Sequence, residues 1–352
     1  MRPPRALTCR TSRPSQRRAL ARAAGLGAGW LIDLAVGDPQ RGHPVALFGT
    51  LASGLEKRLY ADSRVAGTVY AGVLVGAVAG GGLLIEKRAD GPWSTAAATA
   101  ASTWVVLGGR SLAREGAVMA QLLQGDDLPG ARARLSHLCS RDARDLSPQE
   151  VARATVESLA ENTSDAVVAP LFWGAMAGVP GLLGYRAANT LDAMVGYRSQ
   201  RYRQFGWACA RLDDLLNLVP ARIAAALTVV LAPVVGGSPA AARRAWRRDA
   251  PAHPSPNAGP VEAAFAGALG VVLGGANSYE GDVEDRGRLG DGMAVQVGDV
   301  ARTVRLSQAV GASSAMFAGV AAVVAEALKY AAAGSPGKRV WPTTRSRVRE
   351  DG

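Results

Sequence analysis

Apolar residues in this chain come in long blocks, and five of them carry no charge: Val65 to Ile85, Gly91 to Gly109, Ala166 to Tyr185, Ile223 to Ala242 and Leu306 to Ala325. At ~1.5 Å per residue a helix of roughly twenty residues crosses the ~30 Å hydrocarbon layer of a bilayer. A soluble helical domain can bury one such segment, but five predict an all-α, multi-pass integral membrane protein with long polar helical loops. Two blocks are interrupted, Ala166 to Tyr185 by Pro170 and Pro180 and Ile223 to Ala242 by Pro233 and Pro239. Those two are expected to be broken, re-entrant or only partly inserted. The run Ala23 to Ile32 is apolar but short, and "YAGVLVGAVAGGGLL" has the glycine content of helices packed closely in lipid.

Four polar regions separate the blocks: Gly37 to Arg64, Arg110 to Asp165, Arg186 to Arg222 and Arg243 to Arg305. "SLAREGAVMAQLL" has helical spacing, and a further helix is predicted from an N-cap at Ser147, with Pro148 at its first position and Glu150 closing a capping box. No internal repeat is visible, and no strand alternation is long enough to predict a sheet. If every block crossed, the polar regions would alternate between the two sides of the membrane. A single site built from all of them therefore requires that some broken blocks do not cross, or that polar residues reach the site within the bilayer.

Composition adds a frame to this picture. The chain has 352 residues, 48% hydrophobic and 20% charged, with a formal net charge of +11. Much of that charge sits at the ends, so one domain, residues 23–331, is expected between a disordered basic extension, 1–22, and a basic tail, 332–352. Aromatic residues are absent from the first end and scarce in the second, which favours solvent or lipid headgroups over nucleic acid. The Arg-rich ends also predict cytoplasmic termini. Cys9, Cys139 and Cys209 form no CxxC pair, so neither zinc site nor disulfide framework is indicated. "GLGAGW" lacks the context of a dinucleotide fingerprint and reads as helix-packing glycine.

Four stretches carry candidate chemistry. "DLAVGDPQRGHPV" displays Asp38 and His43 from a turning backbone; the plain alternative is a turn cap and a packed ring. In "ESLAENTSD", Glu157, Glu161 and Asp165 fall at i, i+4 and i+8, an arrangement that suits Mg²⁺ or simply caps the next helix. "NTLDAMVGYRSQRYRQFGWACARLDDLLN" places Asn189 and Asp192 on one helix face and follows them with Tyr197, Arg198, Arg201, Arg211, Asp213 and Asp214. Arginines alone would suit lipid phosphates, whereas interleaved aspartates suit a polyanion bound with its metal ion. "RRDAPAHPSPNAGPVEAA" holds Arg248, His253, Ser255, Asn257 and Glu262 in a proline-stiffened loop that opens a helix.

In that order, these stretches resemble the cobalamin-biosynthesis membrane proteins of the CbiB/CobD type, adenosylcobinamide-phosphate synthase. The resemblance covers about Leu31 to Ala325 and includes the weaker "GGANSYEG" and "LGDG". It implies amide ligation of (R)-1-amino-2-propanol or its phosphate to the free propionate of adenosylcobyric acid, with ATP and Mg²⁺. It also implies a cell-membrane location with the site facing the cytoplasm, and other late cobalamin-pathway enzymes as possible partners. The residue chemistry then assigns Glu157, Glu161, Asp165, Asp192, Asp213 and Asp214 to the metal ion and Arg198, Arg201, Arg211 and Arg248 to phosphates. His253 or His43 is the candidate base, with Asp38 beside His43, and Asn189, Tyr197 and Asn257 orient the substrates. The competing class is a membrane transporter or a corrinoid-binding scaffold without chemistry.

Overall fold

A computed structural model describes residues 13–39, 42–139, 141–197, 199–279 and 282–332. Five helical segments are long and apolar enough to cross a membrane: Gln16–Val36, Arg64–Arg88, Pro148–Val195, Trp207–Val235 and Val297–Leu328. The protein is thus a helical, multi-pass membrane protein, though not every long segment crosses.

Helix α1 (Arg13–Val36) begins inside the stretch expected to be a disordered extension, and Ala19 and Ala21 are already buried. It packs against α4 (Pro92–Val106). A Cβ on Gly25 would lie 2.6 Å from the Ala96 carbonyl oxygen, and one on Gly29 would lie 2.5 Å from Thr103 Cβ. The small residues of "GLGAGW" therefore set how closely these two helices approach. Between them come α2 (Pro44–Leu59) and α3 (Arg64–Arg88).

Beyond α4, the helices α5 (Gly109–Gln124), α6 (Leu128–Leu135) and α7 (Pro148–Thr163) build the polar region. The capping box at Ser147 and Glu150 forms as the sequence predicts. From α7 the chain passes through a π turn, Ser164–Val168, into α8 (Ala169–Val195). Asp165 and Asn189 are separated by 24 positions, which in a straight helix would be ~36 Å. Their side chains nevertheless meet at 3.4 Å. The path doubles back at Gly178, whose φ of +69° only glycine adopts readily, and the Glu86 carboxylate accepts the freed Val179 N–H at 3.1 Å. The block Ala166 to Tyr185 is therefore a helical hairpin, the re-entrant option its prolines left open.

Short α9 (Tyr202–Phe205) leads to α10 (Trp207–Leu231), followed by α11 (Pro239–Asp249) and α12 (Ala258–Leu269). Ala221, Ala224 and Leu227 of α10 share a core with Val156 and Leu159 of α7 and with Val261 and Phe265 of α12. The block Ile223 to Ala242 thus stays with the polar-side domain instead of crossing, and its helical path breaks at Gly236, φ +72°. Strands β1 (Val271–Tyr279), β2 (Asp282–Leu289) and β3 (Met293–Ala294) then form a small sheet in the order β2-β1-β3. This corrects the expectation of no sheet: Gly274 and Gly275, both at positive φ, interrupt the alternation that would have announced β1. Helix α13 (Val297–Ala332) closes the chain described.

Contacts fix two levels in the bundle. At one, Arg22 of α1 pairs with Glu86 of α3 at 2.6 Å and approaches Glu326 of α13 at 3.9 Å, beside the hairpin tip. At the other, the Arg110 N–H donates to Asp33, the Gly108 N–H donates to the Ala166 carbonyl, and the Trp104 indole donates to the Gly37 carbonyl. The chain crosses between these levels in α1, α3, α4 and α13 and makes a return trip in α8. All four polar regions consequently lie on one face, while the start of α1 and the end of α13 lie on the other.

Candidate functional site

Three helices and one loop meet at the polar level. The π turn carries Asp165, with Glu161 one turn earlier on α7. The return leg of α8 carries Asn189 and Asp192, and α10 brings Asp213, Asp214 and Asn217. The loop that leads into α12 adds Ser255 and Asn257. All of these except Asn189, which bonds to Asp165 and Asp213 from behind, line a cavity of about 80 Å³ whose wall is predominantly polar. A π turn inserts an extra residue into a helix, and here it occurs where Asp165 enters the site.

Asn189 is the hub. Its Nδ2 donates to Asp213 Oδ1 at 3.2 Å and, more weakly, to Asp165 Oδ2 at 3.4 Å. Asn217 Nδ2 donates to Asp213 Oδ2 at 3.0 Å, and the Tyr185 hydroxyl donates to Asn217 Oδ1 at 2.9 Å. Asn257 Nδ2 donates to the Asp214 carbonyl at 2.7 Å, which holds the α12 loop against α10. Among the described residues, no arginine or lysine nitrogen lies within ion-pairing distance of Asp165, Asp192 or Asp213, while Glu161 feels the charges of Arg286 and Arg141. Clustered carboxylates without a cation repel one another, so this set of hard oxygen donors fits Mg²⁺. No three of Asp, Glu, His and Cys among the described residues are yet drawn close enough to hold an ion as they stand.

Other expected residues are engaged elsewhere. Glu157, expected to bind metal, has both oxygens taken: one by Arg141 at 2.6 Å, the other by the Gly274 N–H at 2.7 Å, with Arg153 at 3.7 Å. It anchors β1 to α7. Arg201, expected on phosphate, pairs with Glu56 at 3.0 Å and stacks 4.2 Å from the Tyr60 ring centre. Arg248 is held by Asp249 and Asp291, and Arg211 pairs with Asp214 at 3.1 Å, at the rim of the cavity. Tyr197 is exposed and does not line the cavity. Arg198 lies outside the described residues.

Neither histidine is set up as a base. His43 Nδ1 accepts the Val45 N–H at 3.2 Å, and His253 Nδ1 accepts the Ser255 N–H at 3.0 Å. In the neutral rings the proton therefore sits on Nε2, making each Nε2 a donor. His43 Nε2 lies 3.8 Å from Asp38, and His253 Nε2 lies 3.7 Å from Glu262. Burial, with Arg286 next, pushes His253 down to about 4, and burial holds the Glu262 carboxyl well above the usual range, with Glu157 and Glu161 adding to it. His253 and Glu262 do not line the cavity.

Arg186 does not itself line the cavity, and it reaches toward the site through Asn189 Oδ1. Burial lowers the His43 pKa, an effect opposed by Asp38 and reinforced by the Arg186 charge. Arg186 in turn feels both Asp38 and Asp165. Sequence reasoning missed Arg186, Ser164 and Asn217. The available signal was spacing, since Arg186 precedes Asn189 by three residues and Asn217 follows Asp213 by four, each pair on one helix face.

Comparison with known proteins bears on the whole chain. The sequence model of the CobD/Cbib protein family matches residues 26–307, which include every residue of the cavity. The cobalamin biosynthesis protein CobD of Mycobacterium tuberculosis is 55% identical over 297 residues, 84% of this chain and 95% of that protein. Proteins of the same name from Chromobacterium violaceum and Rhodobacter capsulatus are 44% identical over 283 residues and 40% identical over 302. They cover 78% and 83% of this chain, and 89% and 95% of their own lengths. No solved structure matches. With a family match across most of its length and relatives similar over most of both chains, the chain belongs to the CobD/CbiB protein family.

Proposed function

We propose that this protein acts in cobalamin biosynthesis as an ATP-dependent amide ligase. It joins the free propionate of adenosylcobyric acid to (R)-1-amino-2-propanol or its phosphate. The observation that carries this reading is the convergence of Asp165, Asp192, Asp213 and Asn257, from three separate polar regions, on one carboxylate-lined cavity at one face of the membrane.

A carboxylate does not react with an amine until one of its oxygens can leave. The propionate oxygen attacks the terminal phosphorus of ATP, ADP departs, and an acyl phosphate results. The amine nitrogen then attacks the acyl carbon, inorganic phosphate leaves, and the nitrogen loses a proton. Mg²⁺, when bound, neutralises charge on the transferring phosphoryl group. Asp165, Asp192 and Asp213, with Glu161 behind them, would hold that ion, and Asn189 and Asn217 fix the rotamers of the acids by their hydrogen bonds. With both imidazoles oriented as Nε2 donors, the proton from the amine goes to a cavity carboxylate that is not holding the metal ion. Asn257, clamped between Arg222 at 2.9 Å and the Asp214 carbonyl, keeps the loop in place as the substrates change. The site faces the cytoplasm, where ATP is found.

The test is a reaction with protein purified in detergent, MgATP, both amine acceptors and adenosylcobyric acid whose propionate carries oxygen-18. The reading expects ATP-dependent amide and one labelled oxygen in the released phosphate. Corrinoid binding without product would support a transporter or scaffold instead.

A further inference from the structure

Arg186 lies within the molecule with an unusual lack of partners. Its side chain contacts Asn189 Oδ1 through Nη1 at a long 3.5 Å, and its Nε is buried without a hydrogen-bond partner. Among the described residues no carboxylate lies within ion-pairing distance of it. The side chain as a whole is partly exposed, but burying the Nε–H without an acceptor costs free energy. Asp38 and Asp165 act on it only from farther away. Nearby on the π turn, Ser164 is 2% exposed, lines the cavity, and has a hydroxyl that is likewise unpartnered.

Asn189 sorts the charges. Its amide nitrogen faces Asp165 and Asp213, and its amide oxygen faces Arg186. One side of this residue is thus a set of acceptors without cations, and the other is a donor group without an anion. A ligand that satisfies both must be anionic where it meets Arg186 and must carry a cation where it meets the aspartates. A metal-bound phosphoryl group has that polarity, and a planar guanidinium matches phosphate oxygens in pairs.

We propose that Arg186, and not the arginines of the surface pairs, binds the anionic oxygens of the phosphoryl group whose metal ion the Asp165–Asp213 side holds, with Ser164 as a second donor. The assignment rests on the ligase reading for the identity of the nucleotide, but the site itself is a prediction about binding.

The experiment measures MgATP affinity and, separately, Mn²⁺ affinity of the full chain in detergent, for the wild type, Arg186→Gln and Arg186→Lys. Arg186→Gln is expected to weaken MgATP at least tenfold while Mn²⁺ alone binds as well as before or better, since a positive charge near the aspartates is gone. Retained Mn²⁺ binding also reports that the variant is folded; if Arg186→Gln loses it, Arg186→Lys decides, with an expected loss of about threefold or more. Adding guanidinium ion to Arg186→Ala should recover part of the MgATP affinity. MgATP affinity within twofold of the wild type in a variant that binds Mn²⁺, or a wild type that binds no MgATP, would overturn the assignment. A wild type that binds MgATP through Arg186 yet forms no amide would instead count against the ligase reading alone.

Discussion

Glu157 and Glu161 are one helical turn apart and identical in type, yet the structure gives them different work. Glu161 lines the cavity, whereas Glu157 is spent on Arg141 and the Gly274 N–H. Removing one partner of a buried ion pair leaves the other uncompensated, so Glu157→Gln is expected to lower stability by about 3 kcal/mol without changing Mn²⁺ affinity. Chemical unfolding and metal titration of the same variant check both halves. His253 gives a pH prediction. Its folded pKa is about 4 against an ordinary 6.5, so between those values the unfolded chain takes up a proton that the folded chain refuses. Stability attributable to this ring is therefore intact above pH 6.5 and falls by up to about 3 kcal/mol as pH drops to 4. In His253→Asn, which keeps an acceptor for the Ser255 N–H, the acid-side loss of unfolding free energy should be smaller by that amount. The residue types at the site were readable in the sequence, because aspartates interleaved with arginines have little reason to sit at a lipid surface. Which arginine was free was not readable, since Arg201 and Arg248 are distinguished from Arg186 only by Glu56, Asp249 and Asp291, partners that folding supplies.

At the scale of elements, the hairpin in α8 matters most, because it brings Asn189 back to Asp165. Gly178 makes the reversal possible: a Cβ there would be strained at φ +69° and would collide with Glu86 and approach Arg22. Gly178→Ala is expected to destabilise the protein by about 1–3 kcal/mol and to lower ligase activity, through displacement of the return leg. Thermal unfolding and activity of that variant, with Ala177→Ser as a neighbouring control, test this. The sequence shows Pro180 and an unbroken apolar block, which together allow a kink, a break or a reversal. Only the contacts of Asp165, Tyr185 and Glu86 choose between them. The hairpin of β1 and β2 was hidden for a different reason, glycines at 274 and 275 that remove the period-two signal.

For the whole molecule, the even number of passages between polar regions puts the site, α5 to α7 and the sheet on one face, and the start of α1 and the end of α13 on the other. The start of α1 and the end of α13 cannot therefore share the cytoplasmic side with the site, as the sequence expectation of cytoplasmic ends and a cytoplasmic site would require. The proposed use of ATP favours a cytoplasmic site. Charge at chain ends is a weak guide when the facing polar mass is a large domain with many arginines of its own. In a background with the cysteines replaced, Arg144→Cys should react with an impermeant maleimide only from the cytoplasmic side and Arg17→Cys only from the outside; labelling of both from one side would refute this topology. The apolar blocks made the membrane legible, but their pairing into returns was not, because a helix that crosses and a helix that doubles back have the same hydropathy. The central claim is that ligation occurs at the carboxylate cavity, and it is tested most directly by comparing substitutions inside and outside it in one assay. Amide formation from adenosylcobyric acid, amine and MgATP should fall at least a hundredfold in Asp165→Asn and Asp213→Asn, and stay within about threefold of wild type in Arg201→Ala and Arg248→Ala. Near-normal rates in the two aspartate variants would contradict the account.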